Sequence, residues 1–111
     1  MVVTHLSPDD FRQLVEQALD ELPDRFAELV ENVAIVIEDE PSRDDRNLVD
    51  TDHELLGMYR VTPPLPDQIA IFRGPILRIA RTRADVRAEV RDTVIHELGH
   101  YFGLDDDEMI Y

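Results

Sequence analysis

Residues 96–106 read H-E-L-G-H-Y-F-G-L-D-D, and this stretch constrains the fold more than any other part of the chain. On an α-helix, residues four positions apart lie on the same face, so His96 and His100 would present their imidazoles side by side. Two neutral nitrogen ligands with a carboxylate beside them suit a hydrolytic metal site. The pattern therefore predicts a metal-binding helix with His96 and His100 as ligands and Glu97 as the general base.

A third protein ligand is expected after this helix, because catalytic zinc sites commonly use three. Gly103 can end the helix in a left-handed conformation, which glycine adopts at least cost. The chain would then turn back and bring Asp106 toward His100. The spacing H-E-x-x-H-x-x-G-x-x-D resembles the elongated zinc signature of the metzincins, with aspartate in place of their third histidine. That resemblance selects Asp106 over its neighbours Asp105 and Asp107 as the third ligand.

Composition narrows the class of protein. A chain of 111 residues is long enough for one compact domain spanning residues 1–111. The absence of cysteine excludes disulfides and thiolate zinc sites, and the net charge of −14 opposes binding to nucleic acid or an anionic membrane. We find no secretory signal and no apolar run approaching the roughly twenty residues of a membrane span. A cytoplasmic location is therefore expected.

Apolar spacing in the first half of the chain predicts two helices followed by a strand. Ser7 is a candidate N-cap, and apolar residues recur at helical spacing until Pro23 interrupts them and opens a second, short helix. Residues 33–37 form a continuous, largely β-branched run that predicts a buried strand. The highly charged stretch 39–53 is expected to be a solvated connection rather than a flap that attracts substrate.

The second half of the chain predicts further strands and a long final helix. Residues 55–61 are expected to form a strand in which Gly57 marks either a bulge or a close backbone approach. Residues 69–72 predict a third strand, whereas residues 76–79 suit either a fourth strand or a short helix. Thr82 begins the final helix, whose apolar stripe leaves the two motif histidines on its opposite half. We therefore expect an α+β fold, with N-terminal helices on a small mixed sheet of three or four strands.

A resemblance to a known family extends over nearly the whole chain and rests on four stretches besides the metal motif. These read V-E-N-V-A-I-V-I-E-D-E-P, L-L-G-M-Y-R, I-A-I-F-R-G-P-I-L-R-I-A and R-T-R-A-D-V. They are similar to the small bacterial zincin-like metallopeptidases, long known as a domain of unknown function. That resemblance implies a minimal zincin-like fold, with zinc held by His96, His100 and Asp106 and with Glu97 as the catalytic base.

These features predict a zinc-dependent peptidase that acts on a peptide or protein substrate. The substrate is expected to extend along the edge strand at residues 55–60, and either Arg60 or a tyrosine could assist the oxyanion. The alternative is a metal-binding interaction module without turnover, because the chain ends soon after Asp106 and has no room for the lower cleft wall of larger metzincins. A protein partner that completes the cleft is a further possibility, and no nucleic-acid or membrane partner is expected.

Overall fold

The computed structural model describes residues 6–48 and 54–103, which form five helices and three strands. The predicted α+β class is confirmed. In chain order the elements are α1 (Pro8–Asp20), α2 (Asp24–Val30), β1 (Ala34–Glu38), α3 (Arg43–Asn47), β2 (Gly57–Arg60), β3 (Gln68–Phe72), α4 (Arg73–Ile79) and α5 (Arg83–Phe102).

The first helix begins and ends where its sequence predicts. The Ser7 hydroxyl accepts a hydrogen bond from the Asp10 backbone N–H at 3.1 Å, which caps the first turn, and Pro8 needs no donor there. The apolar residues of α1 face the core, and they are Phe11, Leu14, Val15 and Ala18. The helix therefore packs one face inward, as its periodicity indicates.

The three strands form one mixed sheet in the order β1-β3-β2. β1 runs parallel to β3, with Ile35 opposite Ile69, and β2 runs antiparallel to β3, with Met58 opposite Ala70. The central strand β3 is buried on both faces, which explains its continuous apolar run. The sheet thus has two edge strands, and β2 is the one beside the motif helix.

The core lies mainly on one face of the sheet. Ile69 and Ile71 point from β3 toward the helices and join a cluster with buried residues of α1, α4 and α5. The alternate residues of β3, Ala70 and Phe72, point to the other face and pack with Met58. The smaller second face is bounded by polar side chains of β1, β2 and α3, described below.

Two segments differ from the sequence-based expectation, and the structure decides a third that was left open. The charged stretch contains the short helix α3, which is held by a reciprocal capping box between Ser42 and Asp45. Residues 76–79, for which the sequence allowed a strand or a short helix, form the second half of the helix α4, and Pro75 lies near its start, where a missing N–H is tolerated. The strand expected at 55–61 is shorter and spans Gly57–Arg60.

The final helix α5 organises the molecule and carries the metal motif in its last two turns. A capping box between Thr82 and Asp85 begins it, and Gly103 ends it in the left-handed conformation (φ 66°), as predicted. The helix contacts α1, α2, α4, β2 and β3, so its position is fixed along most of its length. Over the described ranges, none of the helices has the length and apolarity needed to cross a bilayer.

Candidate metal centre

The two motif histidines lie side by side on the exposed side of α5. The ring centroids of His96 and His100 are 6.2 Å apart, with 68° between the ring planes. Neighbouring residues Ile95 and Leu98 are fully buried, whereas both histidines are exposed. Helical periodicity therefore places both imidazoles toward solvent on the same side of the helix, where they could bind the same cation.

A backbone contact sets the chemistry of the His96 ring. Its Nδ1 lies 2.7 Å from the carbonyl oxygen of Asp92, one turn earlier in the same helix. Because a carbonyl can only accept a hydrogen bond, Nδ1 must carry the proton, which leaves the Nε2 lone pair free. Metal-binding histidines in proteins are commonly oriented by a hydrogen bond of this kind. In the neutral ring, this hydrogen bond leaves Nε2 as the nitrogen that can bind a divalent cation.

The third expected ligand, Asp106, lies outside the described residues, so its position is not part of the site's geometry. Within the described ranges, no group of three His, Cys, Asp or Glu side chains is arranged to hold a metal ion. A three-ligand centre on His96 and His100 therefore needs a donor from elsewhere in the chain. The left-handed Gly103 turns the backbone directly after α5, in agreement with a ligand supplied by the following segment.

Glu97 lies half-buried between the histidine face and the core. Its Oε1 accepts a hydrogen bond of 2.9 Å from the backbone N–H of Tyr59 in β2. Burial raises the pKa of the Glu97 carboxyl above its usual value, although that hydrogen bond and the nearby His100 and His96 act to lower it. A carboxylate whose pKa is raised accepts a proton more readily than an ordinary glutamate does.

Strand β2 lies against α5 and runs in the same direction. A Cβ built on Gly57 would lie 2.6 Å from Cγ2 of Thr93, and Tyr59 meets Glu97 four helical residues later. Two residues of a strand advance by about 6.6 Å and four residues of a helix by about 6 Å, so the spacing of the two contacts is nearly the same along β2 and along α5. Of the two alternatives that Gly57 indicated, the structure shows the close approach.

An open cleft of about 380 Å³ continues from this contact along the N-terminal side of the motif. One wall comes from the start of β2 and the residues before it, and the other from α5. Its lining comprises Leu55, Leu56, Gly57, Glu89, Asp92, Thr93, His96 and Glu97. The candidate base and one candidate ligand therefore face a cavity that a substrate can enter.

The structure also limits which side chains can assist an oxyanion. The Arg60 guanidinium donates to Glu38 at 2.7 Å and to Asp45 at 3.0 Å, on the opposite face of the sheet from α5. The Tyr59 hydroxyl donates to Asp67 at 2.7 Å. Arg60, which the sequence analysis named, and Tyr59, one of the three tyrosines of the chain, thus already bind other partners.

Sequence reasoning did not identify two residues that shape this site. Tyr59 holds Glu97 through its backbone, and Asp92 orients His96 through its carbonyl. Backbone contacts leave no signature in residue type, so no motif marks Tyr59. The i−4 position of Asp92 relative to His96 could have been inferred from helical geometry alone.

Comparisons with known proteins agree with this architecture. A family profile described as zincin-like metallopeptidase matches residues 30–111. Among solved structures, the chain is similar to a conserved hypothetical protein from Thermo thermophilus, at 27% identity and a TM-score of 0.58. That match covers 87% of this chain and 94% of the other. No curated protein sequence matches significantly. Because the profile covers most of its length, including the whole metal motif, the chain belongs to the zincin-like metallopeptidase family.

Proposed function

We propose that the protein is a zinc-dependent metallopeptidase, with His96, His100 and Asp106 as ligands and Glu97 as the general base. The observation that carries the proposal is the pairing of two exposed imidazoles on α5 with a half-buried carboxylate, where the carboxylate and the His96 imidazole also line the cleft. A bound zinc ion supplies Lewis acidity, which lowers the pKa of water and polarises a peptide carbonyl. Imidazole and carboxylate donors suit zinc, and the His96 tautomer fits this role.

Glu97 performs the proton transfers in this proposal. One carboxylate oxygen is held by Tyr59, and the other has no hydrogen-bond partner within the described part of the chain. That second oxygen accepts the proton of the attacking water and later delivers it to the leaving amine. The hydrogen bond from β2 restricts the carboxylate rotamers, so the base is oriented before substrate binds.

The outer edge of β2 supports binding of an extended peptide. The Leu56 carbonyl accepts from the Phe72 N–H at 2.9 Å, so even-numbered residues of this segment pair with β3. The N–H and C=O groups of Gly57 and Tyr59 consequently point away from the sheet, and of these the Tyr59 N–H donates to Glu97. A peptide substrate would pair with the other groups of this edge, the Gly57 N–H and the two C=O groups, and pass across the cleft.

Two variants at Glu97 test the catalytic assignment. Glu97→Gln keeps a side-chain oxygen that accepts from Tyr59 but cannot take a proton, whereas Glu97→Ala removes both functions. We expect zinc-loaded wild type to cleave members of a proteome-derived peptide library, read by mass spectrometry, and Glu97→Gln to lose at least about 100-fold in rate. Cleavage by Glu97→Gln at the wild-type rate would refute the role of this carboxylate.

A metal-binding interaction module without turnover is the second candidate, and one contact favours it. The hydrogen bond from Tyr59 gives Glu97 a structural role, so its presence does not by itself require catalysis. In this alternative, Glu97→Gln would retain stability and zinc affinity, and neither wild type nor the variant would cut any peptide. Loss of cleavage in Glu97→Gln with unchanged zinc affinity separates the two candidates in favour of the peptidase.

A further inference from the structure

Tyr59 makes contacts through three separate groups, two of which join the edge strand to α5. Its backbone N–H donates to Glu97 at 2.9 Å, and its hydroxyl donates to Asp67 at 2.7 Å. Its ring stacks on Tyr101, with centroids 4.0 Å apart and 10° between the planes. Asp67 directly precedes β3 and Tyr101 directly follows the ligand candidate His100. Tyr59 is therefore held both by α5 and by the residue that precedes β3.

The Tyr59 N–H occupies a position that the sheet leaves unpaired. Because Leu56 bonds to β3, the amides of Gly57 and Tyr59 point toward the outer edge. Amides on such an edge ordinarily bond to water or to another chain. The Glu97 carboxylate takes that place at Tyr59, so a side chain of α5 caps the edge strand.

We propose that Tyr59 is a positioning residue for Glu97. The contacts of its hydroxyl and its ring fix the position of β2 along α5, so that the Tyr59 N–H donates to Oε1 of Glu97. Oε2 of Glu97 is then left to accept a proton. The inference rests on the proposed function of Glu97 as base and adds the residue that sets its orientation. Gly57 supports this arrangement, because the lack of a side chain lets β2 lie against Thr93.

Amide hydrogen exchange in the zinc-free protein tests the backbone contact independently of catalysis. We expect the Tyr59 amide to exchange at least about ten-fold more slowly than that of Gly57, the factor typical of a hydrogen bond to a charged acceptor. Glu97→Ala should remove this protection and Glu97→Gln should keep most of it. The Met58 amide, which faces β3, serves as the reference for changes in global stability. Equal Tyr59 exchange in wild type and Glu97→Ala would overturn the proposal.

Side-chain variants test whether the anchoring of Tyr59 matters for turnover. On the fastest-cut peptide of the library described above, Tyr59→Leu should lower kcat roughly 10- to 100-fold with little change in KM, because misplacement of a base by about 1 Å costs that much. In Asp67→Asn the side-chain oxygen can still accept a hydrogen bond from the Tyr59 hydroxyl, so this variant should keep most of the wild-type rate. Asp67→Ala has no such acceptor and should be slower.

A control on the other face of the sheet separates positioning from loss of stability. Glu38→Gln breaks the ion pair between β1 and Arg60 and lies outside the strand that would bind substrate, so it should lower stability while keeping kcat and the Tyr59 amide protection. Equal losses of kcat in Tyr59→Leu and Glu38→Gln would overturn the proposal. If wild type itself cuts no peptide, the proposed function fails, and the exchange experiment alone decides the positioning contact.

Discussion

At the scale of single residues, Gly57 shows how tightly the edge strand packs on the metal helix. A methyl group there would lie 2.6 Å from Cγ2 of Thr93 and 2.7 Å from the carbonyl oxygen of Ala70. We expect Gly57→Ala to lower the free energy of unfolding by roughly 1–3 kcal/mol, the usual cost of overpacking, as measured by urea denaturation. It should also weaken the Tyr59 contact with Glu97, because β2 must move away from α5.

Two further variants identify the cause of this loss. Thr93→Ser removes Cγ2, so the double variant should recover part of the stability, with the Ala70 oxygen still opposing the new methyl. Gly103→Ala meets no atom within 4 Å, yet its φ of 66° imposes a backbone cost of about 1 kcal/mol. Identical stability of Gly57→Ala and wild type would show that the strand and helix separate easily.

Residue-level prediction succeeded where chemistry and position lie in one element. The places of His96 and His100 on α5 follow from a repeat of 3.6 residues, and Gly103 ends that helix because of its backbone freedom. The contact between Tyr59 and Glu97 joins positions 38 residues apart and depends on strand order and register. Strand order and register are not encoded in a local pattern, so the sequence alone could not predict this contact.

At the scale of elements, a polar cluster ties three of them together across the second face of the sheet. Arg60 of β2 pairs with Glu38 of β1 and with Asp45 of α3. Burial alone would raise the pKa of Asp45, but hydrogen bonds from Ser42 and the charge of Arg60 outweigh it and hold the pKa below its usual value. Because the folded-state pKa is lowered, this carboxylate stabilises the fold above the unfolded pKa of about 4.

We therefore expect the cost of Arg60→Gln to depend on pH. At neutral pH it should lower the free energy of unfolding by roughly 1–3 kcal/mol, since a largely buried carboxylate loses its cation. The difference from wild type should shrink as the pH falls through the folded-state pKa, which chemical denaturation at several pH values would show. Arg78→Gln breaks exposed pairs with Glu40 and should cost below about 1 kcal/mol. A pH-independent cost of Arg60→Gln would contradict the linkage.

The sequence analysis expected a solvated connection where the structure has the helix α3, because this helix has no apolar stripe. α3 has five residues and depends on the Ser42–Asp45 capping box and on Arg60, so hydrophobic periodicity does not detect it. Tyr101 and Phe102 continue the apolar pattern of α5, yet they are 48% and 45% exposed because the helix extends beyond the core at its end. Pattern analysis finds helices that pack against a core and says little about where that core stops.

At the scale of the whole molecule, the fold places the two candidate ligands, His96 and His100, near the end of the longest and most widely contacted of the described helices. α5 touches both β2 and β3 as well as three helices, so a metal held at its last turns would be coupled to the stability of the entire domain. Binding to the folded state alone stabilises by mass action, about 2.7 kcal/mol at free zinc roughly 100-fold above Kd. For a chain of this size we expect the melting temperature to rise by about 10 °C, measured by calorimetry.

The response to zinc should disappear in variants that remove a ligand. His96→Ala and Asp106→Ala should melt near the temperature of the zinc-free wild type whether or not zinc is present, while Arg78→Gln should keep the full shift. An undiminished shift in Asp106→Ala would exclude that aspartate from the coordination sphere and would require the third donor to come from another part of the chain.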